Sequence, residues 1–315
     1  MAGDLYRVSI RGVISQQLKQ RSTCRHASAA AALVLAVSVL PSWVQASEEA
    51  SKPAQSSETR RYQFPLTRLY PNYIASPQRS TLSAQYMSFD KTEIANTTRR
   101  RDDLKMGGML GVVRVHDTDT PDLGWQFTVE AGFHGQFDPG HSADNIGWDG
   151  VYAFMLEMRP SESLAHQLGV HHVSSHVGDE YAERTGRLRI NYTRQELRYG
   201  AAWTFMPHWL TYGEFAYGYD LRNEDLQEPW RVEVGGQYEN TRMWWNDLGL
   251  YVALDLSSYE ENDWDINTVI QFGFVISRNE RRWRMGLELY NGRSQIGEFF
   301  QDDERYIGFG VWMDI

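Results

Sequence analysis

The chain has 315 residues, with 41 acidic against 31 basic side chains, a formal net charge of −10, and 13% aromatic residues including 11 Trp and 17 Tyr. The acidic balance excludes a nucleic-acid partner, which needs a basic surface. The single cysteine, Cys24, excludes disulfides, and once removed with a leader it also excludes a thiol nucleophile or a Cys-ligated zinc in the mature chain.

Residues 1–46 read as a signal peptide. Arg7, Arg11, Lys19, Arg21 and Arg25 precede the apolar run "ASAAAALVLAVSVLP", and "VQA" offers a small-residue cleavage site after Ala46. A retained signal anchor is the alternative, for which the run is short. Residues 47–80 then form a polar N-terminal segment expected in the periplasm, and 81–315 the folded domain.

Beyond the leader no apolar run is long enough for a membrane helix, yet aromatic content is high and alternation is pervasive. From Trp125 to Phe137 the odd positions are Trp, Phe, Val, Ala, Phe, Gly and Phe, and the even ones Gln, Thr, Glu, Gly, His and Gln. That period of two over thirteen residues is a strand with one apolar and one polar face. Segments of this kind fall at 81–89, 106–116, 124–137, 147–159, 164–177, 191–206, 209–221, 229–239, 246–257, 264–277, 282–291 and 305–315. The connections sort by parity. Long ones such as "DPGHSADNI" follow odd-numbered segments, and tight ones such as "PSES", "MPH" and "RNER" follow even-numbered segments. The pattern predicts an all-β fold: a 12-stranded antiparallel transmembrane β-barrel of the cell outer membrane, with short turns on the periplasmic side. In "YIGFGVWMDI" the residues Ile307, Phe309, Val311, Met313 and Ile315 share one face, so the last strand resembles the segment by which the outer-membrane assembly machinery recognises its clients.

Several stretches together resemble one family: "RLYPNYIASPQRSTLSAQY" at 68–86, "HHVSSHVGDEY" at 171–181, "NYTRQEL" at 191–197 and "YNGRSQIGEFFQDDERYIGFGVW" at 290–312. They are similar to the bacterial family of domain of unknown function 1207, which departs from this chain near "ASPQ". The resemblance implies an outer-membrane barrel and assigns no activity.

The stretch "HHVSSHVGDEY" gathers the reactive side chains. Parity sends His172, Ser174 and His176 to the lipid side, and His171 and Ser175 to the lumen. If the hairpin turns near Tyr181 and Ala182, Asn191 stands across from His172. Ser174 as nucleophile, His172 as general base and Asn191 as orienter then form one cluster near the outer leaflet, since a serine hydroxyl needs an imidazole whose tautomer a third group fixes. The pattern resembles the outer-membrane phospholipase A family, whose lipid-facing Ser-His-Asn set implies hydrolysis of acyl esters in outer-membrane lipids. The alternative is a non-enzymatic barrel, a narrow channel or a structural envelope protein with a filled polar lumen. Asp179 and Glu180 are weak candidates for binding Ca²⁺.

Overall fold

The computed structural model describes residues 58–223, 225–244, 247–278 and 281–314. The signal peptide, Cys24 and the start of the 47–80 segment lie outside the described residues. Thirteen strands follow in chain order: β1 (Thr59–Gln63), β2 (Leu82–Thr92), β3 (Arg100–Asp117), β4 (Thr120–Asp138), β5 (Asp144–Arg159), β6 (Leu164–Val177), β7 (Thr193–Met206), β8 (Trp209–Arg222), β9 (Trp230–Asn240), β10 (Leu248–Tyr259), β11 (Ile266–Arg278), β12 (Arg281–Arg293) and β13 (Asp303–Asp314). Strands β2 to β13 pair antiparallel with their chain neighbours, and β13 pairs with β2, which closes a 12-stranded barrel. All twelve expected segments are there.

Closure follows from the two faces of each strand. On β7 the inward Arg194, Glu196 and Arg198 are buried, while the intervening Leu197, Tyr199 and Trp203 are exposed. A sheet with a polar inner face and a bulky apolar outer face is stable when the outer face meets lipid and closure removes both edges.

Strand β3 starts at Arg100, six residues before the expected start. Its "RRRDDLK" stretch is charged at every position but Leu104 and gives no apolar alternation. It still has a strand's period: Arg101 and Asp103 are buried in the lumen, where Arg101 pairs with Glu304 at 2.6 Å and Asp103 with His134 at 2.6 Å. The short β1 was not expected. It pairs with Val113–Asp117 of β3, below the point where β2 has left that edge.

The N-terminal segment also differs from expectation. Residues 68–80 run inside the barrel rather than in the periplasm. The wall receives this segment's backbone with specific side chains: Glu157 accepts the N–H groups of Leu69 and Tyr70 at 3.0 Å, Gln237 that of Ile74 at 2.9 Å, and Glu130 that of Ser80 at 3.0 Å. Tyr73 stacks on Tyr212 with ring centroids 3.5 Å apart and hydrogen-bonds Tyr70. An irregular segment can be buried only where its backbone groups find partners, and the polar lumen supplies them. The segment has no periodicity of its own, so its sequence reads like an exposed linker.

Around this plug sits a ring of buried ion pairs. Glu214 meets Arg231 at 2.5 Å, Arg79 of the plug at 3.3 Å and Arg198 at 3.7 Å. Glu196 meets Arg194 at 2.5 Å and Arg198 at 2.8 Å. Plug and wall are therefore one polar core.

Candidate functional site

The motif at 171–181 lies on β6 and divides as its parity requires. His171 and Ser175 are buried in the lumen, and His172, Ser174 and His176 face outward beside the long-loop rim.

The inward half latches that rim. Ser175 donates to Asp149, and its Oγ accepts the N–H of Glu298 at 2.8 Å. The Gly297 N–H reaches both Asp149 oxygens at 3.2 Å. The Glu298 carboxylate in turn accepts the N–H groups of Ile190 at 2.8 Å and Tyr192 at 3.0 Å. A short helix, α1 (Asp179–Thr185), buries Tyr181 edge-on against Phe299 at 5.7 Å. Gly178, just before α1, packs so closely that a Cβ there would stand 1.7 Å from the Asn145 carbonyl oxygen. Backbone cannot yield to that contact, so Gly178→Ala is expected to lower the denaturant midpoint by an amount equivalent to about 1–3 kcal/mol.

The outward half carries two aromatic stacks. The His172 ring stacks on Tyr152 at 4.5 Å and the His176 ring on Trp148 at 4.2 Å. Between these two stacks lies Ser174, directly opposite Gly150 on β5, which has no side chain to cover it. The Ser174 Oγ is 3.2 Å from His176 Nε2. On the β7 side Thr193 stands across from Ser174 and Gln195 across from His172. Gln195 donates to Asp220 at 2.5 Å and accepts from the Tyr219 hydroxyl at 3.3 Å.

The expected triad is therefore not assembled as written. Asn191 does not face His172: it precedes β7, has a left-handed φ of 54° and is exposed. No hydrogen bond joins it to His172 or Ser174, and none joins His172 to Ser174. The reason is register. Helix α1 makes the connection asymmetric and displaces the pairing by four residues from a turn at Tyr181 and Ala182. An even displacement preserves which face each side chain occupies and changes every partner. His176, with the same parity and the same spacing from Ser174 as His172, is the imidazole that reaches the hydroxyl. Gly150, Gln195 and Asp220 come from other strands, and no local pattern in the sequence marks them.

The two carboxylates named for Ca²⁺ are not gathered into a site. Asp179 pairs with Arg189, and Glu180 is exposed at the surface. Among the described residues no group of three or more His, Cys, Asp or Glu side chains could hold a metal ion.

One rim group has an altered acidity. Glu261, in the turn after β10, accepts from the Tyr192 hydroxyl at 3.0 Å and from Arg194 at 3.1 Å. Burial nevertheless pushes its pKa up to about 7. The fold thus favours the protonated form, so stability is expected to fall as pH rises from about 4.5 through about 7 and to level off above, by on the order of 2–3 kcal/mol. Glu261→Gln should remove most of that slope in unfolding midpoints measured between pH 4 and 8.

Against known proteins, the fold is matched by solved outer-membrane barrels. Outer membrane phospholipase A from Escherichia coli superposes with a TM-score of 0.51 at 12% identity, covering 78% of this chain and 95% of that one. An active-site mutant of the same enzyme gives 0.53 at 10% identity, with the same coverage. The Salmonella typhi outer membrane phospholipase dimer with bound calcium gives 0.51 at 11% identity, covering 75% of this chain and 91% of that one. Identities this low speak for the fold alone, the architecture of an outer-membrane barrel. No curated protein matches the sequence. A family described as "Protein of unknown function (DUF1207)" matches residues 10–314, beginning well before the stretches that carry the resemblance in the sequence, and the chain belongs to that family.

Proposed function

We propose that this outer-membrane barrel is a serine-dependent acyl hydrolase that works on membrane lipids from its lipid-facing surface. The observation that carries the reading is the outward Ser174 Oγ, 3.2 Å from His176 Nε2, on a strand position that pairs with Gly150. In this reading Ser174 attacks the ester carbonyl while His176 takes its proton. The imidazolium returns the proton to the departing alcohol, and water activated by the same imidazole then hydrolyses the acyl-serine. The aromatic partners Trp148 and Tyr152 stack on the two imidazole rings and restrain their orientation. The solved phospholipases share the architecture, which hosts many activities and by itself assigns none. The test is hydrolysis of phospholipids and lipid A by refolded protein, with and without Ser174→Ala. Hydrolysis unchanged in the variant, or absent from the wild type, removes the reading.

The lumen favours a second reading, a non-enzymatic envelope barrel. Residues 68–80 and the surrounding ion pairs fill the interior, which opposes the channel form of that alternative. In this reading conductance across planar bilayers stays at background. In both readings β13 serves as the segment taken up by the outer-membrane assembly machinery.

A further inference from the structure

Ser174 belongs to a row of positions that crosses the outer face from β5 to β8. Strand pairing sets Gly150 and Thr193 on either side of Ser174, and Arg222 of β8 beyond Thr193. Arg222 reaches that face because of a bulge. On β8 the odd positions Phe215, Tyr217 and Tyr219 are exposed, but the pairing with β7 shifts by one residue between Gln195 and Glu196. Beyond the shift the even positions Asp220 and Arg222 stand beside the outward Gln195 and Thr193. Leu221 turns inward, where its Cδ2 would lie 2.6 Å from a Cβ at Gly218. Without the extra residue Arg222 would point into the lumen, and re-aiming a side chain is a common use of a bulge. On β5 to β8 the other cations are placed elsewhere. Arg194 and Arg198 are buried in the lumen, and Arg159 bonds the Glu162 carbonyl in the short turn at 2.8 Å. The acidic neighbour of Arg222 on its own face, Asp220, is held by Gln195.

We infer that Arg222 sets the substrate class of the Ser174 site by taking the phosphate of a lipid whose ester carbonyl stands at Ser174. This assignment rests on the hydrolase reading above. Two strand spacings put the two backbones about 10 Å apart, and the arginine side chain reaches back over roughly 6 Å of that span. In a glycerophospholipid the phosphorus lies about five or six bonds from an ester carbonyl, a span of roughly 5–7 Å. Lipid A offers the same chemistry, a phosphate beside an acyl ester on one sugar ring. A guanidinium holds phosphate through paired N–H groups, so a lipid anchored at Arg222 brings its ester into the row at Ser174. A neutral diacylglycerol lacks that anchor.

The test uses the full mature chain refolded in detergent. The phosphate-bearing probes are dioctanoylphosphatidylglycerol and lipid A, and the neutral probe is dioctanoylglycerol. Hydrolysis is measured in the wild type and Arg222→Ala, and equilibrium binding in the Ser174→Ala background, where no turnover is needed. Arg222→Ala is expected to lower the kcat/KM preference for a phosphate-bearing over the neutral probe at least about 10-fold, mainly through KM. It should weaken binding of the same probe by a similar factor, and the probe that responds identifies the lipid. Arg222→Lys should retain part of both effects. Arg305→Ala, which removes an exposed cation on β13 paired with Asp90, should leave the preference within about 2-fold. A preference and an affinity unmoved by Arg222→Ala, or lowered equally by Arg305→Ala, would overturn the assignment while hydrolysis by the wild type keeps the hydrolase reading. Binding that depends on Arg222 in a wild type that hydrolyses no probe would overturn the hydrolase reading and leave the phosphate contact standing.

Discussion

On the proposed mechanism, Ser174→Ala is expected to reduce lipid hydrolysis by at least about 10³-fold, to the level of protein-free vesicles, while the barrel stays folded. Losing a nucleophile removes the covalent route altogether, and in serine hydrolases single losses of nucleophile or base cost on the order of 10⁴–10⁶. Ser174 sits on the outer face, away from the lumen's ion pairs, so its hydroxyl contributes little to stability. His176→Ala should follow Ser174→Ala within about 10-fold, because in the proposed mechanism the two act as one unit. The pair of variants that separates this geometry from the arrangement expected from sequence is His172→Ala with Asn191→Ala. With Asn191 exposed and unbonded to either histidine, its removal should leave the rate within about 2-fold of wild type. His172→Ala should cost less than His176→Ala, since no hydrogen bond runs from His172 to Ser174. Equal, large losses at His172 and Asn191, with His176 silent, would contradict the proposed role of His176 as the base.

Glu214→Ala should be the most destabilising single change in the lumen. Its carboxylate lies between Arg231, Arg198 and the plug residue Arg79, and it also accepts from Gln167 at 2.8 Å. Removing one member of a buried set strands the others as uncompensated charges, at a cost of about 3–5 kcal/mol. The loss should appear as a lower urea midpoint, and as greater protease sensitivity of the plug, because Arg79 loses its anchor. Glu214→Gln keeps the shape and one acceptor and should fall between. An unchanged midpoint in Glu214→Ala would mean that water already screens these charges.

Much of this was legible in one dimension because a barrel strand has a period of two. Trp203 and Leu197 face lipid, and Arg194 and Glu196 face the lumen, for a reason that needs no knowledge of neighbours. The same rule placed Ser174 outward and Ser175 inward. It failed where charge masked the period, as at Arg100–Lys105, and where a segment had none, as at 68–80, whose burial depends on acceptors that strands β4, β5, β8 and β9 present.

The sequence by itself therefore determined the architecture, the strand count and the face on which each motif residue lies, since these depend on local alternation and turn chemistry. Only the tertiary structure decided the partners. Which imidazole meets Ser174 depends on the register between β6 and β7, which the asymmetric connection through α1 sets. That the lumen is filled depends on wall side chains such as Glu157 and Gln237 meeting backbone groups 88 and 163 residues away in sequence. Contacts made across such distances leave no periodic trace in the chain that makes them.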